Sequence, residues 1–454
     1  MTNGMKHCQV AGLSLLVLLT CAAAAFADGH GNQNKILAGF FEEWSIYYAN
    51  YNIADLQNNG VAGKLSHFIY AFANVSASSS APATDTCVIA DPWADFEDNN
   101  LPPTGGIADT WPLYGNFAEI LKLKQLHPNL RTLISIGGAS AANTAAFSTL
   151  ASTALGRQAF AASCINMFIK GNVGSDWNGP ITAPGLFDGI HIDWEFPTAS
   201  DTQNFTALLQ EFRNQLNALG TGKYYELSYD GPAGAHNYAN IELAQTAKLV
   251  DFITIDGYNY NGPSWEYVAN NALPLFDSRK DPEYGKGLDI ASTVDAYLAA
   301  GVPPQKYVMG VPLYGVGWTG IPNINNGLYQ TSTDSSWAAP VPLANGTGLC
   351  TDLSGNTPGC DPLLTPGAAT YSTLINLPGN GYTNYFDSVS VAAYLYDPSS
   401  QTFWSYDDTL TAALKTVYVW TRVPGGLGGN FVWALKDDDA NGSMVKTLAA
   451  GLGR

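Results

Sequence analysis

With 454 residues the chain is too long for one small domain and suits a large barrel that carries an insertion. Its formal charge of −18, from 20 Lys and Arg against 38 Asp and Glu, excludes the basic patches that nucleic-acid phosphates require and fits a neutral polymer. Eleven Trp and 24 Tyr are enough to supply stacking faces for sugar rings, although aromatics of this kind also build cores.

Residues 1–27 read as an export signal. Lys6 supplies the positive end, residues 11–19 the apolar run, and Ala25-Phe26-Ala27 the small-residue cleavage site. The run is too short for a permanent span of a bilayer, and Thr20 before Cys21 fits a lipoprotein signal poorly. A secreted protein is expected, with the periplasm as the alternative, and no membrane contact after the signal is removed. Strands are predicted near 35–41, 65–75, 130–138, 187–196, 224–229, 251–260, 307–315 and 430–435, where short apolar runs recur. Helical periodicity fills 144–170 and 202–219. Eight strands with helices between them predict the α/β class, as a (β/α)8 barrel. The last two strands lie much farther apart than a barrel loop needs. Between them, 320–392 is rich in Gly, Pro, Ser and Asn and is expected to be a small inserted α+β domain. The barrel would then occupy 28–319 and 393–454, with a second excursion at 76–116.

Removing the signal leaves Cys87, Cys164, Cys350 and Cys360, which allow three pairings. Cys350 and Cys360 flank the turn-rich TDLSGNTPG and are the expected bridge in an oxidising compartment. Cys87–Cys164 follows by elimination. No CxxC or neighbouring His suggests a metal site, and neither metal nor cofactor is expected.

The most informative stretch is FDGIHIDWEFP, 187–197. Asp193 and Glu195 stand two apart where an apolar strand ends, which puts them on one face with Cα atoms roughly 6–7 Å apart. Buried carboxylates without a task are expensive, and the C-terminal ends of barrel strands are where catalytic residues sit. Glu195 is the candidate general acid, and Asp193 its neighbour able to raise its pKa by repulsion.

DGIHIDWEFP resembles the DxxDxDxE signature of glycoside hydrolase family 18, the chitinase family, with His191 where the middle Asp is usual. KILAGFFEEW, SHFIYAFANV, RTLISIGG, VDFITIDGYNYNG, VMGVPLYGVGW and GLGGNFVWALKDDD resemble the family's other strands in the same order. The resemblance implies a chitinase that cleaves β-1,4 bonds of chitin or chito-oligosaccharides with retention, assisted by the substrate's own acetamido group. Glu195 would be the acid/base and Asp193 would orient the acetamido group. Tyr258 would bind its carbonyl oxygen, and Trp433 would form the floor beneath the cleaved sugar. Asn259, Tyr314, Trp44 and Trp265 are further substrate candidates, with Trp318 beside them because it too follows a strand. Ser135 would enter the carboxylate network.

The departures from the family pattern are also informative. Phe40 stands for Tyr, Asp256 for Met, Asn259 for Asp, Val316 for Arg, and Ala139 for an aromatic. His191 and Asp256 are expected to form a hydrogen-bonded ion pair, and a protonated His191 would favour an ionised Asp193. The same barrel also serves silent chitin-binding lectins and endo-β-N-acetylglucosaminidases acting on N-glycans. Glu195 together with Asp193 and Tyr258 favours the enzyme, and a monomer is the default for one working on an insoluble polymer.

Overall fold

A computed structural model of the protein describes residues 35–47, 49–177, 179–220, 222–339, 341–342, 349–350 and 367–454. The export segment and Cys360, and with it the expected Cys350–Cys360 bridge, lie outside the described residues. The chain divides into two units: Leu37–Ile255 with Ala300–Lys306, and 35–36 with Asp256–Ala299 and Tyr307–Arg454.

The first unit is built on parallel strands. β1 (Ile36–Glu42) pairs with β2 (His67–Ser76), whose edge also takes the short antiparallel β3 (Thr86–Ile89). β2 pairs in parallel with β4 (Arg131–Gly137). A hairpin of β5 (Gly174–Asp176) and β6 (Gly179–Ile181) precedes β7 (Gly189–Asp193). β7 pairs with β4 on one side and β8 (Glu226–Gly231) on the other, and β8 pairs with β9 (Phe252–Ile255). Strands of this kind are covered on both faces and therefore read as apolar runs; every residue of β7 is buried. The few polar side chains buried along them alternate with apolar ones, as the two-residue period of a strand dictates.

Helices α1 (Ile53–Asn58), α2 (Gly115–Leu126), α3 (Ala141–Ala151), α4 (Ala154–Cys164), α5 (Thr202–Asn217), α6 (Ala235–Tyr238) and α7 (Leu243–Leu249) connect the strands. α5 matches its predicted span, burying Phe205, Leu208, Leu209, Phe212 and Leu216 on one stripe. The single helix predicted over 144–170 is two. Thr153 adopts an extended conformation and its hydroxyl accepts the Gly156 N–H at 3.0 Å, capping α4 and ending α3. Cys164 at the end of α4 is bridged to Cys87 of β3, with Cα atoms 5.0 Å apart, the pairing expected by elimination.

In the second unit β10 (Tyr307–Pro312) pairs in parallel with β18 (Gly429–Trp433). The strand predicted over 307–315 breaks at Leu313, whose N–H donates to the Trp433 carbonyl while its own carbonyl accepts the Tyr371 N–H. The chain resumes as β11 (Tyr314–Trp318) in a different, five-stranded antiparallel sheet. Its order is β14 (Ala368–Thr370), β11, β17 (Thr402–Tyr406), β16 (Ala392–Asp397) and β15 (Thr383–Asp387). This sheet begins before and ends after the 320–392 stretch, and β12 (Val341–Pro342) and β13 (Leu349–Cys350) pair separately within that stretch. Helices α8 (Ile290–Ala299), α9 (Tyr371–Leu374), α10 (Thr409–Thr421) and α11 (Ser443–Leu452) complete the unit. On α10, Lys415 forms a fully buried ion pair with Asp407.

The Cys87–Cys164 bridge spans 77 residues, so its loss releases loop entropy worth about 4 kcal/mol in the unfolded chain. The Cys87→Ala/Cys164→Ala double variant is expected to unfold at clearly lower urea than the parent under oxidising conditions. The two proteins should converge when the parent is reduced. Equal midpoints in both buffers would show that the bridge constrains nothing.

Candidate active site

The carboxylates lie in the first unit. Asp193 is the last residue of β7 and is buried, whereas Glu195 lies past the strand end and is half-buried. The predicted strand over 187–196 is therefore shorter, and the two acids are neighbours across a strand terminus rather than along one strand face. Below them, Ser135, His191 and Ser228 stand in register on β4, β7 and β8, all fully buried. His191 Nδ1 is 2.8 Å from Ser228 Oγ, and the edge-on ring of Phe40 lies 5.4 Å from the imidazole. Among the described residues, His191 Nε2 and Ser135 Oγ have no hydrogen-bond partner.

Burial pushes the His191 pKa down to about 3, so the imidazole is neutral at ordinary pH. This corrects two expectations. A neutral ring is not the cation of an ion pair with Asp256, and it does not favour an ionised Asp193 by charge. The first acid of the signature, Asp188, works at the opposite end of β7. It accepts from Lys124 and Lys223, each at 2.7 Å, and from the Thr132 N–H at 3.0 Å. Burial pushes its pKa up, but the two lysine hydrogen bonds outweigh this and hold it below the usual carboxylate value.

The segment after β7 is held by residues that the sequence did not single out. The Gly138 N–H donates to the Asp193 carbonyl at 2.8 Å, and Thr144 Oγ1 donates to the Glu195 carbonyl at 2.7 Å. Gly137 has φ +121, and a Cβ there would meet the Asp193 carbonyl oxygen at 2.0 Å. The SIGG glycines thus allow β4 to pass close beneath the acids, a backbone reason legible in the motif once its strand is known.

The second unit carries the other candidates. Tyr258 packs edge-on against Tyr314 and Phe431, with ring centroids 6.0 and 6.2 Å away. Gly310 makes room for it, since a Cβ there would lie 2.9 Å from Tyr258 Cε1. Tyr314 donates its hydroxyl to Asn259 Oδ1 at 3.0 Å. Asn259 has φ 56, the left-handed region that Asn tolerates better than most residues. Asp256 hydrogen-bonds Tyr258; desolvation pushes its pKa up to about 7 while that bond pulls the other way. Trp433 ends β18 half-buried. Trp265 is 57% exposed, free to stack, and its ring lies over Gly262. In the first unit, Trp44 is half-buried and faces the ring of Phe72 at 6.0 Å. Trp318 is fully buried among Ile321, Tyr396 and Phe403, so it is core and offers no face to a sugar. Val316, where an Arg was expected by resemblance, belongs to the same apolar cluster.

Residues 36–438 match the model of the family described as Glycosyl hydrolases family 18. Chitinase A1 of Niallia circulans is 33% identical over 97% of this chain, and Chitinase ChiA of Flavobacterium johnsoniae is 28% identical over 96%. The chain spans 62% and 28% of the lengths of these two relatives. The catalytic domain of psychrophilic chitinase B from Arthrobacter TAD20 superposes with a TM-score of 0.77 at 30% identity, over 92% of this chain and 95% of that one. The fold class is accordingly the (β/α)8 barrel read from the sequence, with a small additional sheet.

The position of His191 has a measurable consequence for stability. Its imidazole is held to about 3 in the folded chain but returns to 6.5 on unfolding, so the unfolded chain takes up the proton first. Stability is lost as pH falls through 6.5 toward 3, by at most about 1.4 kcal/mol per pH unit. His191→Asn removes this titration. Urea unfolding at pH 7.5 and 5.0 is expected to move the difference between parent and variant by about 2 kcal/mol in the variant's favour at the lower pH. A difference that does not change with pH would mean that the imidazole titrates alike in both states.

Proposed function

The chain belongs to glycosyl hydrolase family 18, and on that premise we propose that it is a secreted chitinase hydrolysing β-1,4 bonds between N-acetylglucosamine residues. The observation that carries this reading is the pair of acids at the end of β7, Asp193 buried and Glu195 half-buried just beyond it. Glu195 gives its proton to the glycosidic oxygen as that bond breaks. The acetamido carbonyl oxygen of the same sugar attacks the anomeric carbon from the opposite face, forming a cyclic oxazolinium. Asp193 accepts the acetamido N–H and stabilises the positive charge that develops. Glu195, now a carboxylate, takes a proton from water as the water opens the ring, so configuration is retained. The nucleophile arrives with the substrate, which is why two acids near one strand end suffice.

Trp433, Asn259, Tyr314, Trp44 and Trp265 are assigned to the sugar, with Ser135 and His191 beneath the acids. Residues 28–319 with 393–454 are assigned to the catalytic barrel and 320–392 to the insertion, whose antiparallel sheet also draws β11, β16 and β17 from the flanking segments. The signal-like N-terminus supports export; among the described residues no helix is long and apolar enough to cross a membrane. Tyr258 is assigned to the acetamido carbonyl oxygen, to which its hydroxyl must donate. Asp256 controls that donation. As a carboxylic acid it donates a hydrogen bond to the Tyr258 oxygen, whose own hydroxyl hydrogen then points at substrate. As a carboxylate it accepts the hydroxyl proton instead.

Two outcomes test the reading. The purified protein is expected to release shorter products from N-acetylglucosamine oligomers, and Glu195→Gln to lose at least about a hundredfold in kcat. Binding without cleavage by both proteins would point to a lectin. Ionisation of Asp256, pushed up to about 7, should give the parent a falling limb in kcat as pH rises through that value. Asp256→Asn, whose amide always has a proton to give, should flatten the limb. An identical limb in both proteins would remove Asp256 from the control of Tyr258.

A further inference from the structure

Glu195 lies one residue clear of the strand ladder that fixes Asp193, so the backbone carrying the acid needs another anchor. α3 supplies it. Thr144, in the first turn of that helix, donates its hydroxyl to the Glu195 carbonyl at 2.7 Å. The same hydroxyl has a local alternative, the Ser140 carbonyl at 3.1 Å, which is the ordinary helical acceptor for a threonine. The shorter contact is the long-range one. Phe147, three residues on and therefore on the same helix face, stacks on Trp194 with centroids 5.2 Å apart and planes 12° from parallel. Trp194 is in turn met edge-on by Phe205 of α5 at 5.7 Å. With the Gly138 N–H on the Asp193 carbonyl, three successive residues, 193, 194 and 195, are each gripped by the segment 138–147. The gripping helix is itself fixed, because Phe147 packs edge-on against Phe160 of α4 at 5.9 Å and α4 is bridged to β3 through Cys164.

We propose that Thr144 is a positioning residue for the acid/base, holding the Glu195 backbone so that its carboxyl group keeps its aim on the glycosidic oxygen. The inference rests on the chitinase reading. Of the three grips, one is backbone to backbone and one is a packed ring. The Thr144 hydroxyl is the polar side-chain grip on the acid's own peptide, and it can be removed with little change of volume. Its loss frees a backbone carbonyl and leaves the side chains assigned to the sugar unchanged, so substrate affinity should be spared while the chemical step suffers. That split separates positioning from a merely structural role.

The test compares the parent, Thr144→Val, Thr144→Ser and Glu195→Gln on N-acetylglucosamine oligomers, with thermal unfolding of each. Thr144→Val is expected to lower kcat about tenfold with KM within about twofold, since small misplacements of a reacting group are costly. Thr144→Ser, which keeps the hydroxyl, is expected to return kcat to within about twofold of the parent. Should the valine variant fail to fold, Thr144→Ala replaces it with the same expectation. An unchanged kcat in a folded variant lacking the hydroxyl overturns the proposal, as does a serine variant impaired as badly as the valine one. A parent that cleaves nothing overturns the chitinase reading and this proposal together. An active parent with an unaffected hydroxyl-free variant overturns this one alone.

Discussion

Moving a carboxyl group into an apolar interior costs several kcal/mol unless its charge is matched or its proton retained, and β7 has an acid at each end. At its start, Asp188 is met by two lysine ammonium groups and a backbone N–H, and the matched charge stays ionised. That cluster ties β7 to α2 through Lys124 and to the segment before β8 through Lys223. At its other end Asp193 is buried where the strand stops, with its carbonyl held by the Gly138 N–H. The first acid of the signature thus holds the strand through matched charge, and the proposed chemistry falls to the acids at the other end.

The same cost explains what a histidine does between them. A second acid at position 191 would place another carboxyl group in a fully buried rank and would need either a shared proton or a cation. An imidazole needs neither. Once desolvation has removed its proton it is a neutral polar ring, satisfied at Nδ1 by Ser228 and packed edge-on against Phe40. Phe40, where the resemblance led one to expect a tyrosine, contributes no hydroxyl to that rank. Both departures remove a proton-bearing oxygen from the interior of the unit.

The strands were legible because burial on both faces leaves an apolar run, and the acids because they interrupt it. The places where elements stop were not. Thr153, Leu313 and Trp194 interrupt patterns that read as continuous: the cap at Thr153 is a local bond to Gly156 masked by the apolar periodicity around it, and the change of sheet at Leu313 is decided by hydrogen bonds to residues far along the chain. The grip of Thr144 was invisible for the same reason as the break at Leu313: a threonine in a helix ordinarily bonds its own turn, and nothing local says that a carbonyl 51 residues away lies closer. Trp318 failed differently. Position after a strand gave it the same standing as Trp44 and Trp265, and only the five-stranded sheet shows that its ring faces inward.

The second unit shows that a departure from a family pattern need not be a departure in chemistry. Val316 sits on β11 between Ala368 of β14 and Ser405 of β17, inside an apolar cluster where an arginine would require a buried partner. Asn259 occupies a left-handed backbone position, and its amide oxygen accepts a hydrogen bond from the Tyr314 hydroxyl. Both residues fit the local packing and backbone conformation at their positions. Asp256 differs. Desolvation raises it into the neutral range, where a methionine would have been stable at every pH, and the cost falls beside Tyr258. A half-buried carboxyl group hydrogen-bonded to a tyrosine can decide which way that hydroxyl points, and a thioether cannot. Among the departures, Asp256 is the one that places a titratable group in hydrogen-bond contact with Tyr258, which is why the proposed control of that hydroxyl is assigned to it.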